Sequence, residues 1–445
     1  MKKPLRLTVL GGGSYFTPSF IGSMVARPDI WSGAEVRLQD IDSSRTRLVK
    51  AFCEKYAARK GLPLTVVEQP DLDRALEGAD FVIATFRIGG IPALELDETL
   101  PPRFGYLVDE TAGPGGMFMA IRTVPVVMDV ARRMERLCPE AWLLNYANPT
   151  HYCVAGAVRT SRTKVVGLCD NYIAGMADFS WLLDIQPLRR IRARHVGYNH
   201  CAWIYSAEFE GRDLMRELQE RDPELLRRNV EKAQNSRWMF EQNLMLFRHT
   251  GWFPLGMSHF LAYFYHAEFL ERHRAANRHP HAGVRERDQE HFKTLAQQVR
   301  EYRDEIADQV ARAQHGGAHA DLAIGVATAI ASDSGEEFPV NLPHGDAVAG
   351  FAPETVIDLW GRVSARGIEL LRPPPLSPMI RAHQQLLFAY MELVLSGILE
   401  KNKARFYDAL LIHPFTQSAA KARELLDTMW QEERHLHGPY WDGVS

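Results

Sequence analysis

Apolar residues along the 445-residue chain recur in two rhythms, and the change between them falls near residue 200. Up to that point short apolar runs alternate with stretches of helical period. The runs Leu7-Thr8-Val9-Leu10, Glu35-Val36-Arg37-Leu38-Gln39, Asp80-Phe81-Val82-Ile83-Ala84-Thr85, Trp142-Leu143-Leu144-Asn145-Tyr146 and Val165-Val166-Gly167-Leu168 read as strands. Pro18 to Val25, the segment from Ser43, and Met117 to Leu137 read as helices between them. This alternation predicts the α/β class, with a doubly wound, Rossmann-like sheet to about residue 195. Beyond Ala202, Gly211 to Arg248 and Asp288 to Ala313 are charge-laced and helical in period, and Gly251 to His266 is an aromatic island that reads as an apolar helix. Pro339 to Gly345 reads as a strand and turn, and Leu322 to Ile330, Met379 to Glu400 and Ala404 to Leu411 as helices. The second half is therefore predicted as mixed α+β and helix-rich.

Polar residues gather where the predicted strands stop. Gly11-Gly12-Gly13-Ser14 follows the first strand and precedes a helix, the order of a turn whose backbone N–H groups and helix N-terminus receive a pyrophosphate. Gly11, Gly13, Ser14, Tyr15 and Phe16 are its candidate contacts, Phe16 standing where a third glycine is usual. Asp40, after the second strand, suits ribose hydroxyls and repels a 2′-phosphate, which favours NAD over NADP. Its competing role is to cap the helix from Ser43. Arg87, before Gly89-Gly90, and Asn148, held extended by Pro149, are further candidates, the asparagine for a sugar hydroxyl or the nicotinamide. Residues 1–195 are thus predicted as an NAD-binding domain and 196–445 as a substrate-binding and oligomerisation domain.

The run at Val165 delivers Cys169 and Asp170, and a later one delivers Tyr198, Asn199 and His200. Cysteine and histidine can hold a divalent metal and leave positions free for substrate. Taken alone, a buried thiol and a core imidazole are the commoner explanation. A tyrosine in the aromatic island could serve as a base if a nearby metal lowered its pKa.

Composition narrows the class. The net charge is −3 and no basic run stands out, so no nucleic-acid footprint is expected. No segment approaches membrane-spanning length, and Leu5 to Leu10 is too short for a signal peptide. The cysteines at 53, 138, 153, 169 and 201 have no regular spacing, which argues against a disulfide framework. A soluble, cytoplasmic protein is expected.

Taken in order, the motifs resemble glycoside hydrolase family 4. They are Gly11-Gly12-Gly13-Ser14, Phe86 to Gly90, Glu110-Thr111-Ala112-Gly113-Pro114-Gly115-Gly116, Asn145 to Pro149, Cys169-Asp170, Gly197-Tyr198-Asn199-His200, His315-Gly316-Gly317-Ala318 and Asn341-Leu342-Pro343. The likeness spans nearly the whole chain. It implies NAD and a divalent metal, manganese above all, held by Cys169 and His200. It also implies hydrolysis of a hexoside by transient oxidation at C3, C2 deprotonation and elimination at C1. Asp170 matches the acid of the Cys-Asp branch, in which α-linked substrates are typical. Tyr263 is the first choice for the C2 base, with His259 and Tyr265 behind it. The resemblance also implies a homodimer or homotetramer.

Departures bear on the substrate. Members acting on 6-phosphosugars carry arginines where this chain has Leu94 and His315, and a tyrosine where it has His319. A phosphate needs fixed cationic donors, so an unphosphorylated, uronic or sulfonated sugar is expected. Arg87, Arg122, Asn148, Asn199, His315 and His319 are the candidate contacts. The competing enzyme class is an NAD-dependent 2-hydroxy-acid dehydrogenase of the lactate or malate type, which needs no Cys–His metal site. A non-catalytic NAD sensor is the third reading.

Overall fold

The computed structural model describes residues 3–224, 237–256, 260–276, 283–312 and 318–444, the side chains at 174, 237–239, 273–276 and 318–320 excepted. His259 and His315 lie outside the described residues, as does the side chain of His319. In the first half five of the six parallel strands fall where the periodicity predicts them, and Thr65–Glu68 is an addition. Strands β1 (Arg6–Leu10), β2 (Glu35–Gln39), β3 (Thr65–Glu68), β4 (Phe81–Ala84), β5 (Trp142–Asn145) and β6 (Lys164–Gly167) pair in parallel, in the order β3-β2-β1-β4-β5-β6. That is the doubly wound Rossmann order, with its direction reversed between β1 and β4.

The second half extends this sheet with antiparallel strands: β7 (Ile191–Tyr198), β8 (Cys201–Phe209), β9 (Arg212–Asp213), β10 (Phe253–Leu255), β11 (Glu336–Pro343), β12 (Val356–Ser364) and β13 (Gly367–Leu370). From β6 the sheet runs on through β11, β12, β7 and β8 to β10, thirteen strands in all among the described residues. The patterning had shown only fragments of this half. The polar character beyond Ala202 hides β8, most of which is buried although Tyr205, Ser206 and Glu208 break its apolar run. The aromatic island is not one helix: its start forms β10, and the helix Ala262–Ala276 bends at Tyr265. A closing helix, Ala419–Glu432, follows the two predicted ones.

The two halves share a core. Helices Asp304–Arg312 and Ala318–Ser332 pack on Thr17–Val25 of the first half. Leu7, Val9, Ile21 and Met24 meet Ala307, Val310 and Val326, all buried, in one cluster. Each such aliphatic side chain contributes about 1.5–3 kcal/mol on burial. That packing leaves the C-terminal ends of the parallel strands facing the antiparallel extension, and the polar residues collect there.

Candidate active site

The glycine turn is built as the sequence reading requires. Gly11 has φ +83°, and a Cβ on it would press into the Thr85 carbonyl at the end of β4. Gly11 and Gly12 donate their N–H groups to the Gln39 carbonyl, at 2.9 and 2.8 Å. The helix Thr17–Val25 begins beyond Ser14, Tyr15 and Phe16 with no acid in its first turn and no side-chain cap. Its N-terminus is therefore suited to an anion. Burial pushes the Tyr15 phenol up to about 12. Asp40 does not cap the next helix. Asp42 does, accepting from Ser44 and Arg45, while Asp40 accepts from the N–H of Gly13 at 2.9 Å and of Asp42 at 3.0 Å. Asp40 thus locks the glycine turn to the end of β2. Ile41 beside it is wholly exposed, a flat apolar surface next to the acid that the sequence reading passed over.

The Asn148-Pro149 bond is cis rather than simply extended, and Asn148 is half-buried at the end of β5. Arg87 donates to the Glu110 carboxylate at 2.9 Å and faces the Met119 sulfur at 3.6 Å. Arg122 is corrected outright. Its guanidinium is fully buried between the carboxylates of Asp97, at 2.7 Å, and Glu433, so it ties the C-terminal segment to the helix Pro114–Leu137. It is not free to meet a ligand.

Cys169 and His200 come together. A single cross-strand row joins them: Gly167 of β6 pairs with Asn341 of β11, Asn341 with Asp358 of β12, and Asp358 with Gly197 of β7. Just past the two ends of that row, the Cys169 sulfur lies 3.4 Å from His200 Nε2. His200 sits in the tight β7–β8 turn with φ +67°, a left-handed conformation rare outside glycine and found where a site holds a side chain against strain. With bonds of about 2.3 Å to sulfur and 2.1 Å to nitrogen, donors this far apart fit neighbouring positions on one ion. Burial pushes the Cys169 thiol up, and the charges of Asp170 and Asp358 push it the same way. A cation arriving there must displace the thiol proton.

Around this pair lie buried polar atoms without a protein partner: Asn145 Oδ1, both ring nitrogens of His151, both amide atoms of Asn171, Asn199 Oδ1 and Asn341 Oδ1. Each costs about 1–3 kcal/mol if left unpaired, so their concentration at one place suits a polar ligand rather than a dry core. Among the described residues no three His, Cys, Asp or Glu side chains form a metal cage. Cys169 and His200 would leave further positions on an ion open to substrate. Asp170 follows Cys169 directly and opens the helix Asn171–Leu183.

Tyr263, nine-tenths buried, donates its hydroxyl to Asp109 Oδ2 at 2.8 Å. Asp109 also accepts from the N–H groups of Thr111 and Ala112, so the phenol is anchored to the glycine-rich loop after residue 108. Burial first, and then Asp109, raise the Tyr263 pKa well above 10. From sequence, Asp109 counts as the first residue of that polar loop and has no role of its own. An acid immediately before Glu110-Thr111 and a run of glycines was the available signal.

The comparisons with known proteins agree with this geometry. The description "Family 4 glycosyl hydrolase" matches residues 6–185 and "Family 4 glycosyl hydrolase C-terminal domain" matches residues 195–416. A 6-phospho-alpha-glucosidase of Leptotrichia buccalis is 25% identical over 448 residues, covering 96% of this chain and 97% of its own. An alpha-galactosidase of Bacillus subtilis is 31% identical over 223 residues, 49% of this chain and 51% of its own. A 6-phospho-alpha-glucosidase from gut microorganisms, solved with NAD and Mn2+, superposes with a TM-score of 0.83 at 20% identity, over 98% of this chain and 99% of that one. Both halves match, which sets aside the plain dehydrogenase and the sensor. From the glycine turn to the last antiparallel strands, the chain belongs to glycosyl hydrolase family 4.

Proposed function

We propose that this chain hydrolyses an α-linked hexoside that carries no 6-phosphate, with NAD and a divalent ion, manganese for preference, as its cofactors. The contact between the Cys169 sulfur and His200 Nε2 at the rim of the parallel sheet carries this reading. Bound NAD would supply reversible hydride acceptance at sugar C3, and the ion would supply Lewis-acid polarisation of the C2 and C3 oxygens. Cys169 and His200 hold the ion. Gly11, Gly13, Ser14, Tyr15 and Phe16 seat the dinucleotide, and Asp40 takes its ribose. Asn148 and Asn199 orient sugar hydroxyls. Tyr263 removes the C2 proton, and Asp170 protonates the departing oxygen.

Three features support a substrate without phosphate. Arg87 is paired with Glu110 and Arg122 is enclosed by two acids. Leu94, where phosphosugar members carry arginine, is buried. A uronic or sulfonated sugar carries a single charge and needs fewer fixed cationic donors than a phosphate. The phosphoglucosidase names among the relatives favour the other reading, a 6-phosphosugar. The described cysteines are all unpaired, which suits a cytoplasmic enzyme, assembled as a homodimer or homotetramer.

The test is a panel of α- and β-glycosides, neutral, uronic, sulfonated and 6-phosphorylated, assayed with NAD and Mn2+. Cleavage of a non-phosphorylated α-glycoside at the highest kcat/KM is expected. A clear preference for the 6-phosphorylated members overturns the substrate reading, and turnover unaffected by stripping both cofactors overturns the mechanism.

A further inference from the structure

The most connected polar group near the site belongs to neither the metal pair nor the glycine loops. Asp358, on β12, is 3% exposed, and its two oxygens have different partners: His195 Nε2 at 2.9 Å and Asn199 Nδ2 at 2.9 Å. Trp360 Nε1, which can only donate, lies 3.3 Å from His195 Nδ1. His195 therefore accepts there and carries its proton on Nε2, facing Asp358. Asp358 as a carboxylate can only accept, so the Asn199 amide must turn its nitrogen toward it. That nitrogen has a second hydrogen, and the Asn199 amide lies against the Cys169 sulfur. His195 and Asn199 are each about 1% exposed, so no solvent competes for these bonds.

We propose that Asp358 is a positioning residue for the metal site: held by His195 and Trp360, it fixes the Asn199 amide, which in turn holds the Cys169 sulfur in the orientation that meets an ion shared with His200. The inference rests on the metal reading given above. It adds a support that no local stretch of the sequence contains, since β7 and β12 are neighbours only in the folded sheet. Asp358 touches no substrate, and its effect reaches the ion through two hydrogen bonds. Outer partners of metal ligands tune affinity by about 10–100-fold.

The test uses Co2+ and Mn2+ titrations of the full chain in the absence of substrate. Co2+ bound by a thiolate gives a sulfur-to-metal absorption band, and Mn2+ affinity follows from calorimetry. In the wild type the band is expected and is abolished by Cys169→Ser. In Asp358→Asn, the metal dissociation constants are expected to rise about 10–100-fold and the band to shift, while NAD affinity stays unchanged. Asn199→Ser, which keeps the His195–Asp358 pair, is expected to show the same weakening and serves if Asp358→Asn does not fold. A wild-type band with both variants binding the ions unaltered overturns the positioning role alone. No Cys169-dependent band in the wild type overturns the metal reading, and this inference with it.

Discussion

The hydroxyl of Tyr263 and the carboxylate of Asp109 lie 2.8 Å apart, 154 residues apart in sequence. A phenol that donates to a fixed carboxylate keeps its oxygen lone pairs aimed away from that acid. It also has a ready acceptor for its own proton when it takes one from carbon. Tyr263→Phe is expected to lower kcat by about 10²–10⁴-fold with little change in KM. Asp109→Asn keeps an oxygen for the backbone N–H groups but removes the charge, and a smaller loss of kcat is expected. Near-normal kcat in Tyr263→Phe would reassign the base to Tyr265 or His259. Deuterium should enter C2 of the product sugar when turnover runs in heavy water.

Gly256 has φ +152°, and a Cβ built on it would overlap the carbonyl oxygen of His200. Backbone must therefore move in Gly256→Ala, and the β7–β8 turn that holds His200 moves with it. Loss of most metal affinity is expected, along with a measurable drop in Tm. Calorimetric Mn2+ binding equal to wild type would show that the turn absorbs the methyl group.

Arg122 is predicted to matter for stability and not for recognition. Arg122→Leu leaves Asp97 and Glu433 buried without their counter-charge, a loss of about 3–5 kcal/mol. The urea midpoint should fall by that loss divided by the m-value. KM for a charged glycoside, measured below the new Tm, should stay within about twofold of wild type. A selective rise in KM for anionic over neutral substrates would restore Arg122 to the binding site.

Stability should decline as pH falls below neutrality. Burial pushes His151 and His383 down to about 3, and His413 and His437 down to about 4. Each stays neutral in the folded chain while its unfolded counterpart takes a proton below about 6.5, so its stabilisation is present above that pH and is lost on the way to 4. Three buried carboxyls oppose this. Burial raises Asp178 to about 7 and also raises Asp97 and Glu433, so the folded chain holds those protons and gains stability on acidification. Burial lowers His291 and His344 as well, so between about 4.5 and 6.5 six imidazoles outweigh three carboxyls, at roughly 1.4 kcal/mol per pH unit for each uncompensated proton. Urea midpoints should therefore fall from pH 6.5 to 4.5, and a flat profile would contradict the burial of these imidazoles.

Asp40 ties the glycine turn to the end of β2, which is where the ribose role proposed for it can be tested. Asp40→Ala is expected to weaken NAD binding and to narrow the preference over NADP, because it removes both a tie to Gly13 and the charge facing a 2′-phosphate. Tryptophan-fluorescence titration with both nucleotides measures this. An unchanged ratio of affinities would limit Asp40 to its backbone role.

By itself the sequence determined the parallel half. Its strands are near-continuous apolar runs, its turn is glycine because Gly11 must pass close to Thr85 with positive φ, and the candidate ligands stand directly after strand ends. Those signals are local, so periodicity and spacing expose them. The tertiary structure alone decided the rest. β8 and β12 carry polar residues along buried strands, because neighbours from distant segments satisfy them. Asp358 reaches Asn199, Asp109 reaches Tyr263, and Arg122 is claimed by Asp97 and Glu433 only once the chain has closed on itself. A charge or an amide has no fixed meaning in sequence, since its partner and its exposure are set by the fold. That is why Cys169 and His200 could be named as candidate ligands from the family motifs, while the groups around them had to be found in space.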